Sequence, residues 1–336
     1  MIISEPGQYG LVLFFYLKKI TTMTFNHNKR IHWILALTSL FLLNSCQAQK
    51  KSKMNSISAK EIIGLINSQK PVHIQNRTIQ DDLDFTTISN ADQVNESLDQ
   101  YIINSGIHFS NCRFLGKIIF FKQEKNKMIS GKINATLSFV NCGFDAEFMA
   151  KSLDISGMLS LPSCTFSKVA NFEDINANHD VNFSKSIFNE EARFQNAVFQ
   201  RRLNMLGCEF TKVASFQGSS FRGDAQLSNI KFLEYCDFGI CQFHENVFFN
   251  YSIFQKKAIF NQCVFNNRAE WNDTKMYHVE FKNTQFRGLA SFVNAAISGK
   301  AIWDRVTFFT QAIPLDQCTI QKENLTVNEV VTLYKN

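Results

Sequence analysis

Large apolar residues recur along most of this chain at spacings of five and six, as in Phe188, Phe194, Phe199, Met205, Phe210, Phe216 and Phe221. An amphipathic helix needs spacings of three and four, and a half-buried strand needs two. Alternating five and six suits a chain that turns a corner after each short strand and sends one large side chain inward per side. Counted from Leu137, the pattern closes into a unit of eleven residues that repeats twelve times without a slip. Position 3 carries Phe139, Phe172, Phe183, Phe194, Phe216, Phe238, Phe249 and Phe260. Position 8 carries Phe144, Phe166, Phe188, Phe199, Phe210, Phe221, Phe232, Phe243, Phe254 and Phe265. Two residues before each lies a mostly small residue: Ala170, Ala192, Ala214 and Ala258 at position 1; Cys164, Ser186, Ala197 and Ser219 at position 6. Strand side chains alternate, so the small and the large residue share the inward face. A period this strict predicts a solenoid whose coils bury their large residues only by stacking on one another.

Segments such as Ala192–Phe199 (ARFQNAVF) and Ala214–Phe221 (ASFQGSSF) resemble the pentapeptide-repeat family, whose unit is a small residue, a polar one, a central Leu or Phe, and two free positions. The resemblance implies an all-β solenoid, a right-handed quadrilateral parallel β-helix with four sides per coil. This chain departs from the plain pattern by one extra residue after every second side, which gives 22 residues per coil and is the Phe-rich variant with alternating spacing. The resemblance covers residues 72–323.

The register extends outward from the regular block. Val72–Asp82, Leu83–Gln93, Ile107–Lys117 and Ile118–Met128 are earlier units, whereas Val94–Gly106 and Ile129–Thr136 do not fit and read as loops leaving corners. One unit after Arg268 is a residue short; Val279, Ala290 and Ala301 open later units and Ile313–Glu323 is the last. The total is twenty-one units, about ten coils, or roughly 50 Å at the strand spacing. Of the 34 Phe residues, 26 fall at position 3 or 8, each contributing about 1.5–3 kcal/mol when buried.

Open solenoid ends need caps. Ser58-Ala59-Lys60-Glu61 is a capping box with Ile57 and Ile62 as a staple, which predicts a helix over 59–68 within an N-terminal cap at 56–71. Thr326-Val327-Asn328-Glu329 repeats the signature and predicts a C-terminal helical cap over 324–336, running through Val330, Val331 and Leu333. Either that cap is minimal or a longer helical region has been lost.

Residues 1–45 read as a targeting segment, with Met23 the better start. Lys29 and Arg30 precede an apolar run of eleven, Trp33–Leu43, too short to span a bilayer. It leads into Leu43-Asn44-Ser45-Cys46, which resembles the bacterial lipoprotein cleavage site and implies acylation of Cys46. An ordinary cleaved signal with an incidental cysteine is the alternative. Residues 46–55 then form a polar, basic tether between lipid and cap. Gln47 is not the Asp that holds some lipoproteins in the inner membrane, so the expected address is the outer membrane facing the periplasm, with surface exposure open.

Charge narrows the partners. The mature chain after residue 45 has 31 basic and 28 acidic residues, net +3. Acidic DNA mimicry, known among cytoplasmic members of the family, is therefore not expected, and no nucleic-acid partner is. Eight cysteines follow Cys46, and all fall at small inward sites: Cys112, Cys142, Cys164, Cys208, Cys241, Cys263 and Cys318 at position 6, Cys236 at position 1. They read as buried small hydrophobes. Cys142/Cys164 and Cys241/Cys263 lie one coil apart, which leaves a disulfide open at either pair. His73, His108, His179, His244 and His278 fall at outward positions of different units without metal spacing. No catalytic residue, metal site or cofactor is expected. Glu190, Lys212, Glu234 and Lys256 share position 10 and should stack with alternating sign along one corner. Tyr235, Phe248, Tyr251, Tyr277 and Phe309 are expected to be exposed aromatics.

The sequence thus points to a non-enzymatic, lipid-anchored β-helical binding or structural module of the bacterial cell envelope. Its partner would be a protein or an envelope component, with end-to-end pairing of two copies a further possibility. A carbohydrate-active β-helix enzyme, or a fragment of a larger pentapeptide-repeat membrane protein, are the alternatives.

Overall fold

Asn, Asp, Ser or Gly occupies most fifth positions of the unit, and the fifth residue is where the chain turns tightly. Asn111, Asn141, Asp174, Asn196, Asn229, Asn283 and Asn294 have φ between 52° and 60° in the computed structural model, which describes residues 55–310, 318–320 and 331–333. This left-handed conformation is the one that Asn and Asp tolerate best after glycine. It lets the N–H of position 6 return to the carbonyl of position 3, as from Ser186 to Phe183 and from Ser219 to Phe216, both 3.0 Å. Positions 9–11 make the second, wider corner and absorb the extra residue.

Two corners per unit and two units per coil give four sides. Sides one and three hold positions 1–3 of alternate units; sides two and four hold positions 6–8. Most strands are only two residues long, and each pairs in parallel with its equivalent one coil away. Leu137 lies on Leu159, which continues to Val181, Leu203, Ala225 and Val247. Side two is the tallest stack, twelve strands from Asn55–Ile57 to Thr319–Ile320. About ten coils are expected from the unit count. The extra layer is Asn55–Ile57, which pairs with Arg77–Ile79 where the tether and cap were expected to meet.

All 26 Phe at positions 3 and 8 are buried. Within a ladder the rings stack nearly parallel: Phe166 on Phe188 at 4.6 Å and 3°, Phe194 on Phe216 at 4.8 Å and 2°, Phe221 on Phe243 at 4.6 Å and 3°. Between ladders they meet edge to face, as Phe183 does with Phe194 at 5.6 Å and 81°. Both geometries suit the ring quadrupole. One buried Phe lies outside the pattern. Phe148 stands at position 1 on side three, between Ile118 and Ala170 of the adjoining coils, and Ala150 stands at position 3, where those coils have Phe120 and Phe172. The Phe148 ring lies 5.8 Å from Phe120 and 5.2 Å from Phe172, the rings on either side of the gap that Ala150 leaves. Large and small have exchanged places two residues apart, and the ladder stays filled.

Position 6 selects for more than small size. The Ser186 hydroxyl donates to the Leu161 carbonyl at 2.6 Å and accepts from the Cys164 N–H at 2.9 Å. Ser219 and Ser252 make the same pair of bonds to the coil below. Where the residue is Cys, the thiol donates to that carbonyl: Cys208 to Phe183 at 3.0 Å, Cys241 to Phe216 and Cys263 to Phe238 at 2.9 Å. All eight cysteines among the described residues are free, and seven of them are buried. The open disulfide alternatives therefore are not realised. Reading these cysteines as plain hydrophobes missed the carbonyl they satisfy.

At the N-terminal end, a helix over Ala59–Asn67 buries Ala59, Ile62 and Ile66, and the Ser58 hydroxyl accepts from the Glu61 N–H at 3.2 Å. The two segments expected to be loops are strands instead. Ala91–Asn95 forms an antiparallel hairpin with Leu98–Ile103, and Lys122–Glu124 forms another with Lys127–Ile133. The long strands of the two hairpins pair in parallel, Leu98 with Met128 through Ile103 with Ile133. Inserted residues thus lengthen side four in the first two coils, because its backbone groups can go on pairing beyond the core. Tyr101 is buried in this arm and its hydroxyl donates to the Phe120 carbonyl at 3.0 Å. Its neighbour in register is Gly131, where a Cβ would stand 2.4 Å from the Tyr101 oxygen.

The C-terminal helix is a second correction. Val331–Leu333 is a strand paired in parallel with Val306–Phe308. The last coil leaves backbone groups unpaired at its edge, and β-branched Val331 and Thr332 satisfy them in an extended conformation that a helix could not supply. The rest of the 324–336 segment, the signal over 1–45, Cys46 and most of the 46–55 tether lie outside the described residues.

Two tests follow from this packing. Phe148→Ala should cost about 3–5 kcal/mol, and adding Ala150→Phe should recover more than half of it in denaturant melts. A double variant no more stable than Phe148→Ala would refute the exchange. For the thiols, burial pushes Cys164 and Cys208 up from 9.0 to about 12. The unfolded chain ionises first, so their contribution is complete below about pH 9 and is lost as pH rises toward about 12. Cys208→Ser should keep the carbonyl bond, change stability at pH 7 by less than about 1 kcal/mol, and flatten the decline between pH 9 and 11 in urea titrations.

Candidate functional site

Repetition fails most clearly at one corner, and buried charge collects there. Elsewhere the wide corner between sides two and three separates two short strands. In two adjacent coils a single strand runs straight through it, Ile253–Ile259 and Lys275–Glu280. Ile253 pairs with Lys275, 22 residues on, but Lys257 pairs with His278, 21 on, with the register shift between Phe254 and Lys257. The short unit expected after Arg268 therefore loses its residue beside Tyr277, which projects from the straightened corner, 55% exposed.

Glu280 occupies position 2 of side three, an outward site, yet is only 5% exposed. Oε1 lies 2.9 Å from Lys257 Nζ and 3.6 Å from His278 Nε2; Oε2 lies 3.4 Å from Lys282 Nζ and accepts from Asn261 Nδ2 at 3.2 Å. Asn261 is held in turn, its Oδ1 accepting the Lys282 N–H at 2.8 Å. Burial pushes the Glu280 carboxyl up, but the hydrogen bonds from Lys257 and Asn261 and the two ammonium charges outweigh it, leaving the pKa at about 2. The carboxylate is thus ionised at neutral pH and carries no proton to donate. His278 Nε2 is buried without a hydrogen-bond partner.

The cluster continues down side three. Glu280 pairs with Ile259, which pairs with Asp237. The Asp237 carboxylate accepts from the Tyr235 hydroxyl at 3.1 Å and from the Gly239 N–H at 2.7 Å. Burial, then the Asp237 charge, pushes the Tyr235 phenol well above its ordinary range. Glu270, at position 2 of side one, is the second buried acid; it pairs with Arg268 and accepts from Asn250 Nδ2 at 2.7 Å. Two ammonium groups, an imidazole and a carboxylate at a straightened corner, with Tyr277 beside them, form a preorganised polar patch suited to recognition.

The sequence-expected groups divide clearly. His278 is drawn into this cluster, whereas His73, His179 and His244 are exposed on other coils. Glu190, Lys212, Glu234 and Lys256 make no ion pair with one another; the paired charges include Lys151 with Glu173 and Asp174, Arg193 with Glu191, and Lys231 with Glu209. Those pairs connect outward strand positions or flank a corner, where side chains are closer than at position 10. Tyr251, Tyr277 and Phe309 are exposed, but Tyr235 and Phe248 are half-buried. Among the described residues no group of three or more His, Cys, Asp or Glu is placed to hold a metal. The Glu280 cluster is not legible from periodicity because its members come from four units. The one-residue shortening near Tyr277 was the available signal.

Residues 161–208 match the family model described as pentapeptide repeats (9 copies). No curated protein is matched by the sequence. Among solved structures, HetL, a pentapeptide repeat protein involved in heterocyst differentiation regulation from the cyanobacterium Nostoc sp. strain PCC 7120, aligns over 74% of this chain and 87% of its own, at 8% identity and a TM-score of 0.19. That superposition is too loose to bear on the geometry above.

The cluster makes a pH prediction. Glu280 has a folded pKa of about 2 against 4.5 in the unfolded chain. Its contribution is therefore complete above about pH 4.5 and is lost as pH falls toward 2. Glu280→Gln should be less stable than wild type at pH 7, and the gap should narrow steadily between pH 4.5 and 2 in chemical melts. A gap constant across that window would refute the ion-pair assignment.

Proposed function

We propose that this protein is a non-enzymatic, lipid-anchored binding module of the bacterial cell envelope, its β-helix tethered through acylated Cys46 to the outer membrane on the periplasmic side. The observation that carries the anchor is the order of residues 29–46: a basic pair, then the eleven-residue apolar run Trp33–Leu43, whose last residue opens Leu-Asn-Ser-Cys. Among the described residues no helix is long and apolar enough to cross a membrane. Membrane attachment on this reading comes from the acyl chains, and several chains on one residue anchor far more firmly than a single one. The pentapeptide repeats of residues 161–208 support a structural or protein-interaction role, since solenoids present long surfaces to partners. The straightened corner around Glu280 and Tyr277 is the surface we assign to a protein or envelope partner. Its carboxylate is held ionised by two lysines, which fits recognition better than proton transfer.

Cys46→Ala tests the anchor directly. Wild type should incorporate a palmitate analogue and fractionate with membranes. The variant should remain unlabelled, and be either soluble or retained with its signal uncleaved. An unlabelled, soluble wild type would remove the lipoprotein assignment while leaving the solenoid untouched.

A further inference from the structure

The corner between sides four and one carries positions 9–11 of every second unit. In two adjacent coils it reads Gln200-Arg201-Arg202 and Arg222-Gly223-Asp224, next to Asn178-His179-Asp180. Arg201, Arg202 and Arg222 are all exposed. Among the described residues none of the three makes an ion pair, whereas Arg113, Arg193, Arg268 and Arg305 each lie against a carboxylate. The three arginines line an open cavity of about 600 Å³ together with Asn178, Asp180, Gln200 and Gly223.

The cavity is organised by its neighbours. Gln200 Oε1 accepts from Arg222 Nη1 at 3.2 Å, and Gln200 Nε2 donates to Asn176 Oδ1 at 3.5 Å, which fixes one guanidinium along the coil axis. The Asp180 carboxylate accepts the Arg202 backbone N–H at 3.3 Å, so this acid is turned toward the main chain as a corner cap. At Gly223 a Cβ would lie 2.5 Å from the Arg201 carbonyl carbon. The coils approach too closely there for any side chain, and the space over Arg201 stays open.

We infer that this cavity binds a phosphate monoester. Three guanidinium groups outnumber the Asp180 and Asp224 carboxylates at this corner, and the net positive charge draws the dianion of a monoester more strongly than the single negative charge of a sulfate ester or phosphodiester. Guanidinium forks suit tetrahedral oxyanions because two N–H groups reach two oxygens at once. A soluble sugar phosphate and a phosphatidic-acid headgroup present the same chemistry. The site does not rest on the lipid anchor, so Cys46→Ala should bind its ligand as wild type does.

The test is calorimetric titration of the full chain in detergent with glucose 6-phosphate, glucose 6-sulfate and dihexanoyl phosphatidic acid. At least one phosphate should bind about tenfold or more tighter than the sulfate, and binding should weaken below about pH 6 as the ester dianion takes up one proton and becomes the monoanion. Arg201→Gln combined with Arg222→Gln should lower affinity about tenfold or more. Asp180→Asn retains an acceptor for the Arg202 N–H while removing a negative charge, and should tighten binding. Preference for the lipid or for the sugar identifies the source of the phosphate, and either supports the site. Equal affinity for phosphate and sulfate, no binding of either phosphate at ~10 mM, or an unchanged affinity in a normally folded double-arginine variant would overturn it.

Discussion

Hydrogen-bonded strands stand about 4.8 Å apart, and aromatic rings favour contact at a similar separation. In this solenoid one translation satisfies both. Phe216 and Phe238 stack at 4.6 Å with their planes 1° apart, while their backbones belong to the same parallel stack of side three. Neither interaction would hold a coil alone: a two-residue strand makes too few hydrogen bonds, and an isolated coil leaves its rings half in water. Stacking makes each coil the condition for its neighbour. Inward positions are therefore filled by reference to the layers above and below, and where Ala150 leaves a gap, Phe148 reaches across to close it.

The same constraint confines chemistry to the corners and the outward strand positions, which is where irregularity can be tolerated. A residue lost near Tyr277 does not disturb the ladders, since Phe265 still stacks on Phe286 at 4.8 Å and 5° in the shortened coil. It changes only how the chain turns, straightening one corner and bringing Lys257, His278 and Glu280 together. The arms at Ala91–Ile103 and Lys122–Ile133 follow the same rule, since they grow from side four and leave Ile103 and Ile133 in the core. Features available for binding are thus deviations superimposed on an invariant interior.

That division explains which parts of the molecule were legible in the sequence. The ladder Phe residues are buried at their expected register, since burial of a ring at fixed period depends only on the residue and its register. Side-two strand Asn55–Ile57 was missed because one polar, partly exposed layer shows no period by itself. Val331–Leu333 was read as helix from a capping box, a local signal worth about 1 kcal/mol, against the larger demand of an unpaired sheet edge. The alternating Glu190–Lys256 series had the right spacing and the wrong geometry, since equal register does not ensure that flexible side chains at a wide corner meet. The Glu280 cluster depends on contacts among units and on a shift of one residue, neither of which periodicity encodes.

The cysteines show how an interior built on repetition can also govern reactivity. Cys241 and Cys263 are one coil apart, and spacing alone permits a bridge. Each thiol instead donates to a carbonyl of the coil below, Phe216 and Phe238 respectively. A disulfide would remove both donors and leave those carbonyls without the side-chain bond that serine supplies at the equivalent position elsewhere. Burial also holds the Cys241 thiol well above its ordinary pKa, and thiol exchange proceeds through the thiolate. Stacked cysteines therefore stay reduced for the reason that they pack: the site they occupy needs a neutral donor. Serine meets that need at Ser186, Ser219 and Ser252, which is why Cys and Ser interchange at position 6.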